Sequence, residues 1–158
     1  MNERDIATKV LNTYWDGKPI PVNPALLAEA AGVSVRACSN AELGGASGWY
    51  RQPDGKPVIL FNASEPTTRQ RFTIAHELGH HVLQHGERPR DNSSAFMNPY
   101  EAVEVSANRF AAEVLMPVHA VRVMVEERQV TSITELANAF CVSEPAMIYR
   151  LKNLGYIS

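Results

Sequence analysis

The sequence predicts an α+β fold: a small three-stranded antiparallel sheet packed on a helical core, then a helix-turn-helix-like C-terminal subdomain. Three observations lead there. "GWYRQPDGKPVILFN" alternates and then runs apolar around a turn, as a β-hairpin does. Most of the remaining chain carries apolar residues at helical spacing. The tail, "SITELANAFCVSEPAMIYRLKNLGYIS", reads as helix, short turn, helix. The expected division is 1–117 for the sheet-and-helix domain and 118–158 for the helical subdomain.

In order along the chain, residues 3–15 carry Ile6, Val10, Leu11 and Tyr14 on one helical face, closed by Gly17, Pro19 and Pro21. Asn23 reads as the N-cap of a second helix, with Pro24 in its first turn and Gly32 as its stop. "VSVRAC" (33–38) reads as the first strand, and Asp54-Gly55 as the turn of the hairpin that follows. Ser64 is the expected cap of a long helix from Glu65 to Gln84 that stops near Gly86. Residues 86–99 form a polar loop that could act as a lid. A helix is expected from Tyr100 to Met116, ended by Pro117, and 118–128 should be helical. In the tail, Ser143 is the expected N-cap, Gly155 the stop, and Leu136, Ala137, Phe140, Val142, Ile148 and Leu151 the small core.

Bulk composition excludes several classes. With 158 residues, 45% apolar and 20% charged, the chain can bury a core of its own. A net charge of −2 points to neither nucleic acid nor an anionic membrane. Residues 118–158 hold four Lys/Arg against four Glu, so the tail lacks the basic face of a DNA reader, and direct DNA binding is not expected. Cys38 and Cys141 stand far apart and outside any metal-ligand spacing, which suits reduced thiols. The N-terminus has no apolar leader and no segment reaches about 18 apolar residues, so the expected location is the cytoplasm rather than a membrane.

The chemistry gathers in "RFTIAHELGHH" (71–81). A helix advances about 100° per residue, so His76 and His80 differ by about 40° and share a face. Two imidazoles can then reach one ion, while Glu77, about 100° around from His76, can act as general base on its water. A third ligand is needed. The position ten residues after His76 is Gly86, and His85 misses it by one, which excludes a metzincin. The gluzincin solution, a glutamate from a later helix, fits "YEAVEVSANRFAAEVLMP". Glu104 and Asn108 are one turn apart, so Glu104 can ligate while Asn108 hydrogen-bonds a ligand histidine, with Ala107 and Ala111 alongside to let two helices approach. Glu101 competes with Glu104; Glu113 points elsewhere. His81 and His85 read as surface or packing histidines. Gly79 inside a helix implies either close helix packing or close approach of substrate. Zinc suits two histidines and a carboxylate, and manganese or ferrous iron also fits. For an oxyanion donor the sequence offers Tyr50, Tyr100, His119 and Tyr149 without choosing.

"RFTIAHELGHHVL", "EVSANRFAAEVLMP" and the tail "ITELANAFCVSEPAMIYRLKNLGYI" resemble the ImmA/IrrE family of bacterial and phage metallopeptidases over nearly the whole chain. The resemblance implies a zincin-like domain in 1–117, His76 and His80 as ligands, Glu77 as catalytic glutamate and Glu104 as third ligand. Many members have an acidic residue where this chain has Ser106, a position that does not ligate. The resemblance further implies an endopeptidase that cuts a partner helix-turn-helix repressor of the XRE type, releasing stress-response, prophage or mobile-element genes. The alternative is a DNA- or protein-binding regulator or sensor that keeps the metal without turnover.

Overall fold

The computed structural model describes residues 1–87 and 101–158, and of Glu101 the backbone alone. The elements are α1 (Glu3–Tyr14), α2 (Pro24–Ala30), β1 (Ser34–Cys38), β2 (Gly48–Arg51), β3 (Val58–Asn62), α3 (Thr67–Val82), α4 (Glu101–Leu115), α5 (Val118–Arg122), α6 (Ile133–Phe140) and α7 (Glu144–Asn153). A π-helical turn, Val123–Glu127, extends α5. The fold is α+β, as expected. Among the described residues, no helix is long and apolar enough to cross a membrane.

The sheet departs from expectation. Its order is β1-β3-β2, with β2 antiparallel to β3 but β1 parallel to it, so it is mixed rather than antiparallel. The three strands do alternate in direction along the chain. The third inserts between the first two, because "VILFN" is the most apolar strand and the centre is the most covered place. Local patterning specifies the β2–β3 hairpin but not which edge receives β1. At the turn, Asp54 adopts φ 53° and Gly55 φ 75°. Asp and Gly are among the residues that tolerate such angles best.

Caps follow the sequence closely, with one exception. Asn2 closes a capping box on α1, Asn23 accepts from the Ala25 and Leu26 amides, and Ser143 accepts from the Ala146 amide. Ser64 does not cap α3. The hydroxyl and amide of Ser64 both bond Asn62 Oδ1, at 2.6 and 3.0 Å, in a turn that closes the end of β3. The chain enters α3 through Pro66 instead, whose fixed φ of −57° suits the entry.

Two cores share α3. One gathers Val10, Leu27, Tyr50, Ile59, Leu78 and Phe110 between α1, α2, the sheet, α3 and α4. The other gathers Ala75, Ala111, Leu115, Phe140, Met147 and Leu151, so α3 and α4 also pack on the C-terminal helices. In α7 the buried apolar residues are Met147 and Leu151, one turn apart, which leaves the expected Ile148 half-buried. Both cysteines are free; Cys38 is buried, whereas Cys141 is half-buried in a left-handed C-cap (φ 54°).

Two glycines are required by close approach. A Cβ on Gly79 would meet Phe110 Cδ1 at 3.1 Å and Ala107 Cα and O at 3.3 Å, so this glycine and Ala107 form the seam between α3 and α4. That settles the choice at Gly79 in favour of helix packing. A Cβ on Gly48 would collide with Thr73 Cγ2 and Leu60 O and would reach Glu77 Cγ at 3.5 Å. Gly48 therefore lets the edge strand β2 lie directly on α3 beside Glu77.

Arg150 locks α7 to the rest. It is buried, donates to Glu113 Oε1 and Oε2 at 2.9 and 2.7 Å, and donates twice to Met116 O. Arg4 of α1 reaches the same Glu113 at 3.0 Å. Burial raises the Glu113 carboxyl, but hydrogen bonds and positive charge from Arg150 and Arg4 outweigh it and hold it below the usual range. A depressed carboxyl adds stability that is present above the unfolded value, about 4.3, and is lost as pH falls through the folded one. Glu113→Gln should therefore cost about 3 kcal/mol at pH 7, by leaving Arg150 uncompensated. Its difference from wild type should shrink as pH falls through the range below about 4. Urea unfolding at stepped pH measures both; a pH-independent difference would contradict the assignment.

Candidate metal centre

His76 and His80 lie one turn apart on α3, and both are buried. Antiparallel α4 brings the buried carboxylate of Glu104 to the same point. His76 Nε2 and Glu104 Oε2 are 2.8 Å apart, His80 Nε2 and Glu104 Oε2 3.3 Å, and the two Nε2 atoms 3.2 Å. Among the described residues these three form a group that could hold a metal ion.

The outward nitrogens matter as much. His76 Nδ1 lies 2.8 Å from Asn108 Oδ1, an atom that can only accept, so Nδ1 carries the proton there. That leaves Nε2, an acceptor in the neutral ring, facing the Glu104 carboxylate oxygen. Three acceptors this close need a cation among them, either a proton or a metal. Ligands at ~2.0–2.1 Å around a tetrahedral zinc stand about 3.3–3.4 Å apart; two edges, 3.2 and 3.3 Å, are close to that and the third, 2.8 Å, is shorter, and in chemistry the donor set fits. Burial raises the Glu104 carboxyl, but where a proton takes the ion's place on His76 or His80, hydrogen bonds and charge from those rings overcome this and hold it far below the usual range. The group is a carboxylate, the form that ligates.

Glu77, the residue after His76 on α3, is fully buried under Gly48 of β2. Phe72 stacks on His76 with ring centroids 6.3 Å apart and planes at 28°, an apolar wall on that side. A cavity of ≈ 810 Å³ opens next to it, lined by Phe72, Val105, Asn108, Arg109 and, across on α7, Tyr149.

The four residues read as oxyanion donors separate. The Tyr50 hydroxyl accepts from Gln52 Nε2 and donates to His81 Nδ1, both at 2.6 Å. It lines a different cavity, on the His81 side of α3; neither that cavity nor the one beside Phe72 is lined by the trio itself. Burial raises the Tyr50 hydroxyl and lowers His81, consistent with a protonated phenol and a neutral imidazole. His119 is exposed on α5. Tyr149 is 72% exposed and lines the cavity beside Asn108. Tyr100 lies outside the described residues, as do the Glu101 side chain and residues 88–99 of the expected lid.

One residue the sequence reading set aside belongs here. His85 Nδ1 is 2.9 Å from His80 Nδ1, with ring centroids 5.2 Å apart. It sits five residues after His80, beyond the end of α3, so helical periodicity cannot place it. Only the stop signal of Gly86 hints that the chain folds back there. His81, by contrast, serves Tyr50 on another face, a packing role as expected.

A helix bearing His-Glu-x-x-His, crossed by a helix that adds a glutamate, defines the class: a candidate metal site of the HExxH pattern on an α+β scaffold. The chain belongs to the Peptidase_M78 family, the IrrE N-terminal-like domain, whose sequence profile matches residues 28–152. It is 35% identical over 102 residues to the radiation response metalloprotease IrrE of Deinococcus radiodurans, spanning 60% of this chain and 30% of that protein. A solved structure, a Mycobacterium tuberculosis transcriptional regulator, shares the fold with a TM-score of 0.63 at 19% identity, over 94% of this chain and 47% of that one. The chain thus spans less than half the length of either relative.

Proposed function

We propose that this protein is a metal-dependent endopeptidase that cuts a partner repressor of the helix-turn-helix XRE type, relieving repression of stress, prophage or mobile-element genes. The observation that carries the peptidase reading is the convergence of His76, His80 and Glu104 to 2.8–3.3 Å, with Glu77 fully buried as the residue after His76. The likeness to a protein named a metalloprotease supports it. The repressor as substrate rests on the family resemblance.

His76, His80 and Glu104 would hold the ion, zinc in the first instance and manganese as an alternative. Such an ion supplies Lewis acidity, polarising a carbonyl and lowering the pKa of water toward ~7. The chain's own residues do the rest. Asn108 fixes the ring of His76 by accepting from its Nδ1. The carboxylate of Glu77 takes a proton from the attacking water and returns it to the departing amine nitrogen. Among the described residues strand β2 is an edge strand of the sheet and it runs past Glu77, a place for an extended substrate to pair. Of the oxyanion candidates, Tyr149 shares a cavity with Asn108 and Phe72, the two neighbours of the His76 ring, and it is the donor this reading favours.

The test mixes the protein with an XRE-type repressor in the presence of zinc or manganese, and again with a chelator. One defined cut, abolished by the chelator, is the expected result. An intact repressor at full metal occupancy, or cleavage indifferent to the chelator, would overturn the proposal.

A further inference from the structure

The chain after α3 does not leave the site. Gln84 takes a left-handed conformation (φ 59°), the His85 amide bonds back to His80 O at 2.9 Å, and Gly86 (φ 78°) turns the chain away. This reversal carries the His85 ring alongside the His80 ring, with the two Nδ1 atoms 2.9 Å apart. Two imidazole nitrogens at that distance share one proton: one donates and the other accepts. His80 is wholly buried, and its Nε2 faces His76 Nε2 and Glu104 Oε2.

We infer that His85 is a positioning residue for the metal: its Nδ1 accepts the proton of His80 Nδ1 and so keeps the lone pair of His80 on Nε2, aimed at the ion. The inference rests on reading the trio as a metal site. A ligand histidine ordinarily gives its second N–H to a carboxylate, a carbonyl or water. Here a third imidazole does that work, and it carries its own proton on Nε2. The two ligand histidines are thus set in the same sense by different partners, His76 by the Asn108 amide oxygen and His80 by His85.

Variants at 85 separate this role from simple packing. Glutamine can accept a hydrogen bond; leucine cannot, and lysine only donates. Zinc affinity, read by competition with a chromophoric chelator, should fall about 10–100-fold in His85→Leu. It should recover in His85→Gln and stay low in His85→Lys, with helical circular dichroism unchanged in all three. In the zinc-loaded wild type, nitrogen NMR should show a scalar coupling between His80 Nδ1 and His85 Nδ1 across the hydrogen bond, with the His85 proton on Nε2. Wild-type zinc affinity in His85→Leu, equal behaviour of the Gln and Lys variants, or a proton on His85 Nδ1 would overturn the inference. Failure of the wild type to bind zinc would instead sink the metal reading beneath it.

Discussion

Glu77→Gln is expected to bind zinc as the wild type does and to cleave about 10²–10⁴-fold more slowly. The amide keeps the shape of the carboxylate but cannot accept a proton from water, so the loss falls on the chemical step, at about 3–5 kcal/mol of barrier. Glu77 sits off the ligand triangle, so metal affinity should barely change. The measurement is a time course of repressor cleavage under single-turnover conditions, at metal occupancy matched by chelator titration. Cleavage by the glutamine variant at the wild-type rate would refute Glu77 as base. Parallel loss of zinc would refute the division between base and ligands.

Glu104→Ala should remove the metal itself. Two imidazoles from one turn of α3 remain, but the donor from the opposing helix is gone, and affinity should drop at least about 100-fold, beyond the effect of losing an outer-shell partner. Stability reports this without any substrate. At a zinc concentration 100 times its dissociation constant, the wild type gains about 2.7 kcal/mol. For a chain of this size that raises the melting temperature by about 5–10 °C. At the same zinc concentration the variant, near its own dissociation constant, gains about 0.4 kcal/mol, a shift of about 1 °C. Scanning calorimetry with and without zinc distinguishes the two. A variant that retains the full shift would place the third ligand elsewhere.

How much was legible in the sequence depends on the range of the forces involved. The helix ends at Asn23 and Ser143 are local hydrogen-bonding events, and composition announces them. The pairing of His76 with His80 is a property of one helix turn. Placing Glu104 needed a second helix and a known resemblance. The route of β1 to the far side of β3 and the return of His85 to His80 lie beyond any periodic signal. Ser64 misled because a good cap also makes a good turn, and Asn62 claims it first. The paired charges of the tail gave no sign that Arg150 is buried against Glu113 and lost to any outside partner.

The contact of Gly79 with Ala107 bears on which ion can be held. The 3.2 Å spacing of His76 and His80 is internal to α3 and survives any relative motion of the helices. Both spacings to Glu104, 2.8 and 3.3 Å, cross between α3 and α4. The aperture of the triangle therefore depends on how closely main chain meets main chain at this seam, together with the torsions of the Glu104 side chain. A methyl group at position 79 would widen two edges and leave the third alone. It would turn a near-equilateral cradle into a lopsided one, better matched to a larger ion. With an ion held there, the smallest residue in the motif would act as a calliper for ionic radius from outside the ligand set.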